Sequence, residues 1–359
     1  MISRTFVFYA LLGSLLGALA CSSSDPAPAP TRDAAPEPDP QAGQPWVVDE
    51  GGGFCATIDA VAEDPQFAGR VWVTLGETML ASSPRDPATD RFRLDPKTFN
   101  TSVVQLSSIG TDVFVSLAGA EGRTPRTVVY SNASEPSELF PWAARRVARA
   151  DSGCVGAERF VSTAVGTEFV VRSADGAKER TLPLPHYEHW PLFLDGMVGL
   201  ADSLLILADR NAEGRGALYR VSCATLDHEL IASGTSISLL HGFTRGSETR
   251  VWAIDGAFEA RTLVQSDDGG KTWQRAPGLS SFVPSRIFAR GDTVVVTSAN
   301  MDFVNISSDG GKTWQAEAIQ TFTKGLGTRT ANSVLVTADG TLFVGGACNT
   351  LVHRRLPLK

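Results

Sequence analysis

The strongest constraint on the fold is an eight-residue stretch that occurs twice in the chain. Ser266–Trp273 reads Ser-Asp-Asp-Gly-Gly-Lys-Thr-Trp, and Ser307–Trp314 repeats it with a single change, so both copies follow the pattern S-x-D-x-G-x-T-W. The glycines can adopt the positive φ angles that a tight hairpin turn requires. The aspartate can accept hydrogen bonds from amides that the turn leaves free, and the tryptophan can bury a large ring beneath the turn. This pattern predicts hairpin turns in an all-β protein.

The repeated stretch resembles the Asp-box, or BNR, repeat of sialidase-like and related β-propellers. The resemblance rests on ten residues, which are Ser266, Asp268, Gly270, Thr272 and Trp273 in the first copy and Ser307, Asp309, Gly311, Thr313 and Trp314 in the second. It implies that each turn joins the third and fourth strands of a propeller blade, away from the binding face. We therefore expect both aspartates to be turn formers and not catalytic acids.

Short runs of β-forming residues recur about every 45 residues, the length of a four-stranded blade. They are Val71–Thr74, Val113–Ser116, Phe160–Thr163, Leu204–Leu207, Val251–Ile254, Val294–Thr297 and Leu342–Gly345. We predict one seven-bladed all-β propeller over residues 46–359, with a six-bladed ring and an irregular N-terminal unit as the alternative. The last repeat lacks a fourth strand, which would leave an unpaired edge. We therefore expect Trp46–Val48 to complete that blade.

The N-terminus is typical of an exported protein. Arg4 precedes an apolar run, Phe6–Leu19, of signal-peptide length, and the run ends in Ala-Leu-Ala before Cys21. Residues 1–20 resemble a bacterial lipoprotein signal peptide, which implies lipidation of Cys21 by diacylglyceryl and palmitate groups; cleavage by ordinary signal peptidase is the alternative. Residues 21–45 contain seven prolines after Asp25 and form an extended tether. Ser22 after the cysteine implies the outer membrane, with a periplasmic or surface-facing domain.

The net charge and the cysteines limit the kinds of ligand and cross-link that the chain can have. The formal net charge of −7 argues against broad nucleic-acid binding, which needs a basic face. No C-x-x-C spacing occurs, and we expect no cofactor, no metal and a monomer. Four cysteines remain after Cys21, an even number that permits disulfides in an exported chain. The repeat register predicts a Cys55–Cys348 disulfide across the ring closure, and Cys154–Cys223 then follows by elimination.

One stretch and a few arginines are candidate ligand contacts. His186, Tyr187, Glu188, His189 and Trp190 lie in a proline-flanked connection between blades three and four. Such a loop can contact a ligand or pack its rings on the next blade, and a metal site would need a third ligand such as His241, which the register puts in the next connection. Several basic residues of the connections could line a cationic channel mouth or be solvated, namely Arg145, Arg146, Arg286, Lys324 and Arg329.

The resemblance to sialidases does not extend to their catalytic residues. Those enzymes use an arginine triad and a Tyr–Glu pair, and their first arginine lies in a Phe-Arg-Ile-Pro-like motif near the first blade. The nearest string here is Arg355–Pro357 at the C-terminus, and Tyr130 and Tyr219 lie on strands where core packing is expected. We therefore predict a membrane-tethered, non-enzymatic propeller that binds a protein or glycan at the cell envelope. The alternatives are a glycoside hydrolase or lyase, and an assembly factor for an envelope complex.

Overall fold

The structure is a computed structural model, and it describes most of the chain after residue 46. The described residues are 47–50, 57–67, 70–75, 78–82, 94–96, 102–119, 124–131, 135–162, 166–184, 194–208, 215–245, 248–256, 261–279, 283–298, 303–319, 331–346 and 350–356. All regular structure in these segments is β-strand. None of them forms a helix long and apolar enough to cross a membrane.

The strands follow the repeats that the sequence predicts. In chain order they are β1 (Val47–Glu50), β2 (Ile58–Glu63), β3 (Val71–Leu75), β4 (Thr78–Ser82), β5 (Leu94–Pro96), β6 (Val103–Ile109), β7 (Asp112–Leu117), β8 (Arg126–Tyr130), β9 (Ser137–Phe140), β10 (Arg146–Arg149), β11 (Val155–Ser162), β12 (Gly166–Arg172), β13 (Glu179–Leu182), β14 (Leu194–Gly199), β15 (Ser203–Ala208), β16 (Gly216–Ser222), β17 (His228–Thr235), β18 (Ile237–Arg245), β19 (Glu248–Asp255), β20 (Thr262–Ser266), β21 (Gln274–Arg275), β22 (Pro284–Arg290), β23 (Thr293–Ser298), β24 (Phe303–Ser307), β25 (Gln315–Ala318), β26 (Ser333–Val336), β27 (Thr341–Gly345) and β28 (Thr350–Arg355).

These strands form seven antiparallel sheets of four strands, which are the blades of a propeller. Six blades are built from consecutive strands, namely β2–β5, β6–β9, β10–β13, β14–β17, β18–β21 and β22–β25. The seventh contains β26, β27, β28 and β1. The first strands of successive blades contact one another around the ring, and β26 contacts β2. The predicted all-β propeller is confirmed.

The N-terminal strand closes the ring. β1 pairs with β28 in antiparallel register, with Val47 opposite His353 and Glu50 opposite Thr350. Val47 and Val48 of the predicted closing strand Trp46–Val48 are confirmed in β1, which continues to Glu50, and Trp46 lies outside the described residues. Because β1 covers the outer edge of β28, the last blade has no unpaired edge there.

The second strand of each blade accounts for the recurring apolar runs. Every residue of β7, β15 and β27 is buried, because these strands lie inside a blade that is covered on both faces by its neighbours. The largest fully buried side chains, Trp72 and Trp252, sit on β3 and β19 and fill the gaps between adjacent blades. Continuous burial makes these runs the clearest periodic signal in the sequence.

The ring has two ends, which we name by the loops they carry. The hairpin face carries the turns between the first and second strands and between the third and fourth strands of each blade. The connection face carries the loops between the second and third strands and the loops that join one blade to the next. Ser266–Trp273 joins β20 to β21 and Ser307–Trp314 joins β24 to β25, so both repeat turns lie on the hairpin face. The third-to-fourth strand placement that the resemblance implies is therefore observed. The cavity described below opens on this same face and not on the opposite face, where the resemblance places the binding site.

Two arginines and a disulfide link neighbouring blades on the hairpin face. Arg220 of β16 donates to the carbonyl of Gly269 at 2.7 Å, and Arg250 of β19 donates to the carbonyl of Gly310 at 2.8 Å, so each repeat turn is bound by the preceding blade. Cys154 and Cys223 form a disulfide with a Cα–Cα distance of 5.5 Å. The predicted partners Cys55 and Cys348 lie outside the described residues.

Candidate functional site

The central channel holds a cavity of about 370 Å³ at its hairpin-face end. It is lined by the ends of six first strands, β6, β10, β14, β18, β22 and β26, and by the turns that follow them. Its wall combines polar groups with apolar side chains, and Val147, Val198, Leu240, Phe288 and Leu335 are among the apolar lining residues. A smaller cavity of about 130 Å³ adjoins it and shares Ser108, Gly110 and Arg290.

Two arginines at the mouth of this cavity are held in ion pairs. Arg149 pairs with Asp112 of the neighbouring blade. Arg290 donates from Nη1 to Glu63 Oε2 at 2.7 Å and to the carbonyl of Val336 at 2.9 Å, which ties three blades together. The other oxygen of Glu63 accepts the Ala338 amide at 2.8 Å. Both arginine side chains remain about one-third exposed, at 39% and 33%, so their other N–H groups can reach a ligand.

The remaining acids at the mouth differ in how they are held. Asp64 is buried, and its carboxylate accepts hydrogen bonds from Trp72 Nε1 at 3.0 Å and from the Gln66 amide at 2.8 Å, with Arg70 at 3.8 Å. Asp151 is exposed on the turn after β10. Its amide donates to the carbonyl of Leu200 at 2.9 Å, which fixes the turn against blade four. Asp151 therefore offers a carboxylate on a fixed backbone.

Two polar atoms on β6 lack a hydrogen-bond partner in the described part of the chain. They are Ser107 Oγ, in the cavity lining, and Gln105 Oε1, two residues earlier on the same side of the strand. A buried polar atom without a partner costs free energy and usually indicates a bound water or ligand. The first strands also carry β-bulges near their starts in five blades, which changes the direction of the side chains beyond them.

The structure places His241 in a strand and not in a connection, which corrects the register assumed from the sequence. His241 lies in β18, and its Nε2 accepts a hydrogen bond from the Ala289 amide at 3.0 Å. Desolvation by burial lowers the pKa of His241, and the Ala289 carbonyl, 3.4 Å from Nε2, opposes this only in part, so the ring is neutral at pH 7. Nε2 is thus already occupied, and the described residues contain no group of three or more metal-ligating side chains.

Of the other predicted contacts, those in the described part of the chain, Arg145, Arg146 and Arg286, lie at the opposite end of the ring. Arg286 is in β22, where its Nε donates to the carbonyl of Asn332 at 2.8 Å. Partial desolvation raises the pKa of Asp59, and the nearby Arg286 lowers it by less. Arg145 precedes β10 and lies over the Phe160 ring at 4.6 Å, and Arg146 is 3.7 Å from Glu158. The stretch containing His186, Tyr187, Glu188, His189 and Trp190 lies outside the described residues, as do Lys324 and Arg329.

The aspartates of the repeat turns are used by the turns themselves. Asp268 Oδ1 accepts from the amides of Lys271 at 3.0 Å and Thr272 at 2.9 Å, and Oδ2 accepts from the Thr272 hydroxyl at 2.6 Å. Desolvation acts to raise the pKa of Asp268, but these bonds and one from Ser266 lower it to about 2. Asp309 has the same partners in the second copy, and the bond from the Thr313 hydroxyl lowers its pKa most. Trp273 and Trp314 each donate from Nε1 to a turn carbonyl.

Sequence reasoning missed the hairpin-face cavity. Arg149, Asp151 and Arg290 lie beside the short turns between first and second strands, and such a turn is marked by Arg290-Gly291-Asp292 in the sequence. Each sequence by itself indicates only a turn, because aspartate and glycine are common turn residues. Only ring closure brings residues so distant in sequence to one channel mouth.

The comparisons with known proteins identify the fold. No protein-family model and no curated protein matches the chain. Among solved structures, YCF48 bound to a D1 peptide is 15% identical, with a TM-score of 0.57 over 89% of this chain and 97% of that one. A streptogramin B lyase is 12% identical, with a TM-score of 0.57 over 86% of this chain and 96% of that one. The GH74 enzyme of Niastella koreensis is also 12% identical, with a TM-score of 0.57 over 86% of this chain and 53% of that one. At these identities the likeness shows the β-propeller fold alone.

Proposed function

We propose that this chain is a lipid-anchored, non-enzymatic propeller of the Asp-box kind that binds a polypeptide partner at the cell envelope. The observation that carries the proposal is the hairpin-face cavity, which combines apolar side chains in its wall with mouth arginines held in place by ion pairs. A fixed concave surface of this kind binds by shape and by a few directed hydrogen bonds. The partner can equally be a subunit of an envelope complex that the propeller helps to assemble.

The charged groups of the mouth favour binding over hydrolysis. A glycoside hydrolase needs a pair of carboxyl groups across the scissile bond, one of them protonated at working pH. Here Glu63 and Asp112 are each paired with an arginine, and Asp64 accepts hydrogen bonds from Trp72 and Gln66. Because these three carboxylates already have partners within the protein, they are less available to a substrate or to an attacking water. Hydrolase or lyase chemistry is therefore the alternative and not the proposal.

A polypeptide fits the cavity better than a glycan does. The wall offers aliphatic and aromatic contact, and the exposed N–H groups of Arg149 and Arg290 can donate to peptide carbonyls. The apolar side chains of the wall can also pack against apolar peptide side chains, which a glycan does not have. The YCF48 structure contains a bound D1 peptide, which is a property of that protein and an example of this fold in a peptide complex.

The anchor and the family are part of the proposal. The run Phe6–Leu19, the Ala-Leu-Ala-Cys ending and the proline-rich tether support lipidation of Cys21, and Ser22 supports the outer membrane. The hydrogen bonds within the two repeat turns support the Asp-box assignment, because Ser266, Asp268 and Thr272 each take part in them. An anchored propeller would hold its partner close to the membrane surface.

The test is affinity capture from envelope extract with the chain from Ser22 to Lys359, together with activity assays on a panel of aryl glycosides. We expect a specific partner to be retained and no glycoside to be cleaved. Arg149→Gln and Arg290→Gln should each reduce capture about five-fold or more, the effect of losing charge-assisted hydrogen bonds. Arg180→Gln is the matched control, because Arg180 pairs with Asp227 away from the cavity. Capture that is insensitive to both mouth variants would refute the cavity as the binding surface.

A further inference from the structure

We infer that the hairpin-face cavity binds a ligand that carries a protonated amine beside an apolar group, with Asp151 as the counter-ion. This refines the proposed function and rests on it. The ligand can be the amino terminus of a polypeptide or a free amphipathic amine, because both present the same chemistry. The inference rests on the charge balance of the mouth, on the apolar side chains of the lining and on the size of the cavity.

The charge balance leaves one negative charge at the cavity. Arg149 with Asp112 and Arg290 with Glu63 form neutral pairs, and Asp64 is compensated by Arg70 at 3.8 Å. His241, on the wall, is neutral because burial lowers its pKa. Asp151 is the one charged group of the described lining that these pairings leave over. The mouth therefore attracts a cation and repels a carboxylate, within a chain whose formal net charge is −7.

The apolar side chains of the lining point to a ligand with an apolar group beside its charge. Val198, Leu240 and Phe288 line the cavity and favour burial of such a group. The exposed N–H groups of the mouth arginines can donate to a carbonyl that follows the amine. The lining therefore offers each contact that an N-terminal residue needs, namely apolar contacts for its side chain, a carboxylate for its ammonium group and donors for its first carbonyl.

The size of the cavity limits the ligand to a small group. A volume of about 370 Å³ is at the lower end of the range for ligand pockets, and it accommodates a short alkyl chain or one to two apolar side chains. A whole protein domain cannot enter it. A polypeptide partner would therefore be held here by its end and not along its length.

The test is isothermal titration calorimetry with the chain from Ser22 to Lys359, which contains the whole closed ring. Hexylammonium and hexanoate are the probes, because they share one alkyl chain and differ in the sign of the charge. We expect hexylammonium to bind at about millimolar concentration and hexanoate at least ten-fold more weakly. Asp151→Asn should weaken hexylammonium about 3- to 10-fold and remove the salt dependence of binding. Asp202→Asn is the control, since Asp202 lies on the equivalent turn of blade four but does not line this cavity.

A second pair of probes identifies the source of the amine. The tripeptide amide Leu-Ala-Ala is titrated with a free and with an acetylated amino terminus. Tighter binding of the free form than of hexylammonium assigns the site to a polypeptide N-terminus, and binding of hexylammonium alone assigns it to a free amine. Hexanoate binding as tight as hexylammonium, or an unchanged affinity in Asp151→Asn, would overturn the inference. Absence of amine binding in a chain that still captures its partner would overturn the inference and leave the proposed function standing.

Discussion

Replacement of one turn glycine by alanine should reveal how the second repeat turn is packed. Gly311 has a φ of +86°, and an added Cβ would lie 2.2 Å from Cη2 of Trp252, which is fully buried. Gly176 is the reference position, because its φ is +70° and an added Cβ would meet no atom within 4 Å. Both residues lie in turns between third and fourth strands. Gly311→Ala and Gly176→Ala therefore share the conformational cost and differ in steric overlap.

The magnitude follows from the two contributions. A non-glycine residue in the left-handed region costs about 1–2 kcal/mol, and the lower entropy of the unfolded alanine chain offsets about 0.4–1 kcal/mol of this. Gly176→Ala should therefore lose about 1 kcal/mol or less of the free energy of unfolding. Overpacking a rigid core adds about 1–3 kcal/mol, so Gly311→Ala should lose about 1–4 kcal/mol in total. Alanine at position 311 retains the backbone amide that donates to Ser307 Oγ at 2.8 Å. The difference between the two variants therefore reports the packing effect.

The assay is thermal and urea unfolding followed by circular dichroism, with both variants measured beside the unmodified chain. Each kcal/mol should lower the midpoint temperature by roughly 2–4 °C or less in a domain of this size. Gly310→Ala is a third point, because the nearest atom to its Cβ is the flexible end of Arg250 at 3.0 Å, and it should resemble Gly176→Ala. Equal losses for Gly311→Ala and Gly176→Ala would refute the argument that Trp252 packs directly against the turn.

Four further predictions follow from the turns, the cysteines and the anchor. Asp309→Ala should lose about 1–3 kcal/mol of stability, because the amides and hydroxyl of the turn lose their acceptor. Partner capture by the folded protein should be unchanged, and loss of capture at full stability would contradict this. Hydrogen bonds lower the pKa of Asp268 to about 2, so its contribution to stability is complete above pH 4 and is lost as the pH falls toward 2. Asp268→Asn should therefore flatten an acid-unfolding profile between pH 4 and pH 2. Non-reducing peptide mapping should recover a Cys154–Cys223 peptide and also a Cys55–Cys348 peptide. The second pairing is expected because the Ile58 amide, near Cys55, donates to the carbonyl of Gly346, near Cys348, at 3.0 Å. A Cys55–Cys154 peptide would exclude it. Cys21→Ala should move the protein from the membrane to the soluble fraction, and intact-mass analysis should find a diacylglyceryl group only on the unmodified sequence.

The ring could be predicted from the sequence because its evidence is local. Runs such as Val294–Thr297 are continuously apolar since both faces of a second strand are covered, and the hairpin that follows each run is short. The missing fourth strand of the last repeat could be inferred for the same reason, from a pattern of four strands with one absent. Cys154 and Cys223 pair because both lie in hairpin-face turns of adjacent blades, a relation that appears once the strands are assigned.

The cavity could not be predicted, because its evidence is not local. Its lining comes from six blades, and the bulges in strands such as β6 and β22 break the alternation that would show which side chains point into the channel. His241 illustrates the error that results. The spacing of the repeats predicts that His241 lies in a connection between blades, whereas β18 extends over nine residues and includes His241.

The closing strand also determines how the propeller would respond to mechanical force. β1 begins at Val47 opposite His353, near the hairpin face, so a chain pulled from its N-terminal side loads β1 along its own axis. The register joins β1 to β28 over four residue pairs, and an axial load strains their hydrogen bonds together and not one after another. In the proposed anchored form, tension between membrane and partner would be borne in shear by this pair of strands. Val47 and the mouth of the hairpin-face cavity lie at the same end of the ring.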